Sequence, residues 1–150
     1  MITVYGAVVS RVNRRLSIWF YLEIPLEYFL NYREMEDTID RMNKYDCSNF
    51  IGTSIVKLNI RDIDKLWKGS IFYIPNTYKN IVNKNKYNNT YADILNGLVD
   101  KPPVIVIDDD CVLKFLDGAN TFAVFRDNGY LEIPFIILDQ QLELIRKYYI

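Results

Sequence analysis

The sequence predicts a single α+β domain, and three observations carry that prediction. Half of the 150 residues are apolar and 22 are aromatic (12 Tyr, 8 Phe, 2 Trp), the make-up of one ordinary globular domain. Runs rich in β-branched and aromatic residues alternate with stretches whose apolar residues recur at helical spacing. The last third reads strand, acidic turn, strand, helix, glycine, strand and helix, and no break in composition marks a second domain.

Taken in order, Ile2 to Val9 and Leu16 to Ile24 read as a β-hairpin or two neighbouring strands, with Arg11, Arg14 and Arg15 at the tip. From Leu26 to Tyr45 the pattern is helical. Phe29, Leu30, Ile39 and Met42 form its apolar face, and Glu36 and Asp37 stand near the start of a second helical stretch. Glu23 to Asp46 holds seven acids and three bases, which most often marks a solvated helix face. Ser54 to Ile60 is a strand, and Asp62 or a residue beside it caps a short helix carrying Ile63, Leu66 and Trp67. The Asn-rich segment Asn83 to Asn89 reads as a loop, followed by a helix from Thr90 to Val99 that ends near Gly97.

Pro102 to Ile107 is a continuous apolar strand, Asp108-Asp-Asp110 is turn chemistry, and Val112 to Leu116 returns as a strand. Asp117 stands where an N-cap belongs, Phe122, Ala123 and Phe125 face a core, and Gly129 stops the helix. Leu131 to Leu138 is a further strand. Asp139 caps a last helix carrying Leu142, Ile145 and Tyr148 or Tyr149. Tyr21-Leu-Glu-Ile-Pro25 recurs as Tyr130-Leu-Glu-Ile-Pro134, but the flanks diverge and the repeat reads as coincidence.

The chain has no histidine, which excludes Ser-His-Asp and Cys-His catalysis, His-ligated zinc and any imidazole base. Eighteen Lys and Arg against nineteen Asp and Glu leave a net charge of −1, so a site for a polyanion must be a local patch. Cys47 and Cys111 are too few for a zinc site or a disulfide framework and read as reduced thiols. No secretory signal or membrane-length apolar run is present, and the expected location is the cytoplasm. Scarce alanine beside abundant Ile, Asn, Lys and Tyr suits AT-rich coding, as in a phage or a low-GC bacterium.

Three features carry chemistry. At Asp117-Gly-Ala-Asn-Thr121 a strand runs straight into a helix, leaving amides of the first turn free for an anion. Gly118 lets a phosphate approach the backbone, and Asn120 and Thr121 offer side-chain hydrogen bonds; equally, Asp117 is only a helix cap beside a tight turn. Asp108, Asp109 and Asp110 read as a solvated hairpin turn rather than a magnesium site, since neighbouring side chains diverge. Arg126 lies further along the helix and faces outward. Lys57 to Lys86 holds seven bases and two acids with aromatics interleaved. Lys57, Arg61, Lys65 and Lys68 would track a nucleic-acid backbone while Tyr73 or Tyr78 stacks on bases, or the stretch is a solvated surface. Abundant tyrosine also suits contact with protein partners.

The segment from Lys101 to Leu138 resembles the ParB/sulfiredoxin superfamily. There a PPVIV-like strand and a short hairpin lead to a DGxHR-like, GERR or GCHR box at a helix start, then a short helix, a glycine and an "IPVIV" strand. Val56 to Ile63 suits an earlier strand of that fold. The resemblance implies a mixed sheet with packed helices over residues 51–150, with residues 1–50 as an N-terminal hairpin and helical extension. It also implies a box that binds nucleotide phosphates, of ATP or CTP, with Mg²⁺ where phosphoryl transfer occurs, and some members are nucleases. Asp117 and Gly118 match the box, and Asp117 is the residue it would use to activate a hydroxyl. Asn120 stands for the box histidine and Thr121 for its arginine, so a fixed cationic fork is missing. Ala119 replaces the catalytic cysteine of sulfiredoxins, which excludes sulfinic-acid reduction. The expected function is a nucleotide- or nucleic-acid-phosphate-binding module with a degenerate site. The alternative is a non-catalytic interaction protein, such as a phage inhibitor of a host or defence enzyme.

Overall fold

The computed structural model describes residues 2–9, 16–24, 26–75 and 84–149. Two antiparallel strands, β1 (Ile2–Val9) and β2 (Leu16–Ile24), place Ile2 opposite Ile24 and form a sheet of their own. Their side chains and residues 10–15, the expected arginine tip, lie outside the described residues, as do Tyr78 and the side chains of Phe29, Tyr148 and Tyr149. Helix α1 (Leu26–Asn43) follows, then β3 (Thr53–Asn59), α2 (Ile60–Trp67), α3 (Lys84–Leu95), β4 (Val104–Ile107), β5 (Leu113–Asp117), α4 (Ala119–Asp127), β6 (Glu132–Leu138), a 3-10 turn (Asp139–Gln141) and α5 (Leu142–Tyr149).

The four-stranded sheet runs β3-β6-β4-β5. It is mixed: β3 and β6 are antiparallel, β6 and β4 parallel, and β4 and β5 antiparallel. The reason β6 is central is legible in its side chains, since Ile133 to Ile137 are buried without a break, the pattern of a strand covered on both faces. Registers Leu58 with Ile133, Val56 with Phe135, Ile105 with Ile137 and Ile107 with Leu113 bring these side chains to one face. On that face Phe122 and Phe125 of α4 are fully buried, and the Trp67 ring stands edge-on to Phe115 at 4.7 Å and to Phe122 at 5.6 Å. The three strands and the helix expected between Pro103 and Leu138 thus share one sheet and one core.

Several expectations are corrected. Residues 26–43 form one helix rather than two, because Met35, Thr38 and Met42 recur on a single buried face while Leu30 is left exposed. Thr38 joins that face by donating its hydroxyl to the Glu34 carbonyl at 2.9 Å. The Asn-rich segment is helical from Lys84, because Tyr87 is buried and stacks on Tyr91 one turn later, rings 6.5 Å apart; packing overrides the weak helix propensity of asparagine. Asn59, not Asp62, caps α2, its side chain accepting from the Asp62 amide at 3.1 Å. Leu138, not Asp139, stands at the N-cap of the 3-10 turn, with no side-chain cap, and Asp139 accepts a hydrogen bond from the Ser54 hydroxyl.

Candidate functional site

Two turns bracket α4, and the box lies at the first. Gly118 occupies the N-cap in the left-handed region, φ +81°, with no side-chain cap, so Asp117 does not cap the helix. Asp117 pairs instead with Lys101, carboxylate to ammonium at 2.9 Å, a bond that raises the Lys101 pKa. The bare side of Gly118 is not open to a ligand. A Cβ there would stand 2.8 Å from the Pro103 Cα, so glycine is needed for its positive φ and for contact with the neighbouring strand. Thr121 is buried at 8% exposure, and the Asn120 Oδ1 is buried with no partner among the described residues. Ala119 is partly buried against the core. The turn thus brings Asp117 to Thr121 together, but turns Thr121 into the protein and commits Asp117 to a lysine.

Arg126 corrects another expectation. Its side chain is 11% exposed and points inward: Nη1 donates to Asp64 Oδ1 at 3.0 Å and to the Ile74 carbonyl at 2.6 Å, and Nε donates to Asp127 at 2.9 Å. The guanidinium lies over the Tyr73 ring at 5.6 Å and the Trp67 ring at 5.9 Å, and Nη2 is buried without a partner. Burial opposes its charge, yet Asp127 and Asp64 outweigh that and raise its pKa. Tyr73 donates to the other Asp64 oxygen at 3.2 Å, and burial, then Asp64, pushes its phenol up. Tyr73 is therefore a strut of this network rather than a free stacking platform. Asp64 was missed in the sequence, although the signal is there: Ile60, Ile63, Asp64 and Trp67 recur at the inward spacing of α2, a carboxylate among apolar positions.

Of the basic stretch, Lys57 projects from β3, whereas Arg61, Lys65 and Lys68 follow one another at exposed positions along and just past α2. Ile71 and Phe72 next to them are 91% and 74% exposed. The triplet at 108–110 is a turn: Asp108 Oδ1 accepts from the amides of Asp110 and Val112, and its Oδ2 lies 3.5 Å from Lys114. Among the described residues no group of three or more acids or cysteines converges as a metal site.

At the other end of α4 the chain forms a full reversal. Gly129 has φ +80°, the Tyr130 amide donates to the Phe125 carbonyl and the Gly129 amide to the Arg126 carbonyl; the Tyr130 and Phe125 rings meet edge-on at 5.2 Å. This is a Schellman cap with its apolar contact. Two hollows flank it. One, about 550 Å³, lies between this turn and the start of α2 and is lined by Arg61, Asp64 and Arg126. The other, about 470 Å³, lies against α1 and is lined by Tyr32, Glu36, Tyr130 and Glu132. The Tyr130 Oη is buried and unpartnered, and burial, with Glu36, raises its pKa far above the ordinary value.

The fold and these turns define the class: an α+β protein with, among the described residues, a four-stranded mixed sheet and five helices. No protein-family model, curated protein or solved structure matches the chain. Among the described residues no helix is long and apolar enough to cross a membrane.

Proposed function

We propose that this chain is a non-catalytic protein–protein interaction module, a ParB/sulfiredoxin-like core with the N-terminal strands and α1 as an extension and the phosphate box shut. The observation that carries the reading is Pro103 at the bare side of Gly118, with Asp117 held by Lys101 and Thr121 buried. A cationic fork is missing, and the bare side of Gly118 is taken by the neighbouring strand rather than left for a phosphate. Large apolar side chains remain in solvent elsewhere, among them Ile51, Ile71, Phe72, Leu116 and Leu131, which suits contact with another macromolecule.

The test is thermal unfolding with ATP, CTP and GTP, with and without Mg²⁺. The expected result is no shift. A ligand present at 100-fold its Kd stabilises by about 2.7 kcal/mol, worth several degrees for a chain of this size, and such a shift would overturn the reading. A phosphate-binding module is the second reading, favoured by Lys101, which stands at the head of α4 and supplies one cation beside the box. It requires that shift, and its loss on Lys101→Ala.

A further inference from the structure

We propose that the hollow between α1 and the Gly129 turn docks an arginine-bearing segment of a partner protein. The inference rests on the interaction-module reading and gives the partner its chemistry. Tyr32 and Glu36 lie one turn apart on α1, so both side chains reach the same hollow, where they meet Tyr130, Leu131 and Glu132. The Tyr32 and Tyr130 rings are nearly parallel, 17° apart in plane with centroids 6.4 Å apart, and Tyr32 is 59% exposed. A π face turned to solvent beside carboxylates attracts a cation twice, through the ring quadrupole and through the charge. Glu36 and Glu132 both line the hollow, and among the described residues no lysine or arginine does.

Arginine fits better than lysine. Its guanidinium is flat, stacks on a phenol ring, and offers a fork of N–H groups that matches a carboxylate in two parallel hydrogen bonds. A protein fits better than a free small cation for two reasons. Leu131 is 77% exposed at the same hollow, so an apolar surface is there for a backbone or neighbouring side chain to cover. Helix α1 carries five acids and two bases, extending the negative field past the hollow and favouring a segment with several positive charges.

The experiment is fluorescence anisotropy of the full chain with two labelled peptides, one alternating glycine and arginine and one alternating glycine and glutamate, at low and physiological salt. The arginine peptide is expected to bind, and Tyr32→Ala and Glu36→Gln each to weaken it about three- to fivefold. Asp110→Asn removes one exposed acid from the remote hairpin turn and is expected to leave binding unchanged. The glutamate peptide is not expected to bind. Tyr32 is exposed and Glu36→Gln nearly isosteric, so the two variants guard against loss of fold in either. No binding of the arginine peptide, equal weakening by Asp110→Asn, or binding of the glutamate peptide overturns the inference. Those failures are distinct from failure of the interaction-module reading, which would show as a nucleotide-dependent thermal shift of the same wild-type protein.

Discussion

The two ends of α4 are both turned by a glycine with φ near +80°, yet they differ in what surrounds that glycine. At Gly118 the missing Cβ is pressed against Pro103, whereas at Gly129 nothing lies within 4 Å. At the first end strand packing fills the space beside Gly118, and Lys101 pairs with Asp117 next to a hollow of about 370 Å³ that both line; the second opens onto two hollows and retains an unpaired phenol. A glycine in a motif is therefore no sign of an open ligand cradle. What decides is whether the space a side chain would fill is already taken by the protein.

The largest expected effect lies at the open end, in the network beneath it. Arg126→Ala strips Asp64 and Asp127 of their buried partner and should lower stability by about 3 kcal/mol or more, read as a fall in the urea midpoint. Gly118→Ala combines positive-φ strain with overlap on Pro103 and should cost about 3 kcal/mol. Gly129→Ala carries the same strain with no overlap, so about 1 kcal/mol is expected. Equal losses at the two glycines would break the comparison. Lys101→Ala removes a surface pair and should cost under about 1 kcal/mol.

The smallest effect concerns pH and a third turn. The amides of Val112 and Asp110, with Lys114, hold Asp108 below the ordinary carboxylate value of 3.8. A depressed folded-state pKa means that this support for the turn is complete above the unfolded value and lost as pH falls through the lower folded one. Protection of the Val112 amide, measured against its intrinsic exchange rate at each pH, should therefore fall only in acid, below about pH 4, and Asp108→Asn should remove that dependence.

The sheet was legible because its signals are local. Pro102 to Ile107, the aspartate turn and the unbroken run Ile133 to Ile137 each fix their own strand, and Phe122 and Phe125 fix the covering face. The helix caps were less legible. Asn59 and Asp62, three residues apart, both carry a side chain able to cap, and Asp117 stands one residue before the Gly118 that takes the N-cap position, so the choice depends on backbone angles set by the preceding strand. The surroundings of the box were hidden for a different reason. The lysine that neutralises Asp117 is 16 residues away and the proline that blocks Gly118 is 15 residues away, so both belong to a chain crossing that composition does not record. Arg126 looked like a surface residue because its partner Asp64 lies 62 residues earlier.

The strand order β3-β6-β4-β5 bears on how the chain assembles. The central strand is the last of the six to be made, and β3 waits for it across a span of 85 residues, the separation of Ser54 from Asp139. Until residues 132–138 emerge, β4 and β5 can pair as a local hairpin, but β3 has no neighbour and its edge stays bare. Such long-range closure slows folding and prolongs exposure of an unpaired strand. Synthesis stalled before Glu132 should thus leave a species prone to aggregate, while release a few residues past Leu138 lets the sheet close in one step.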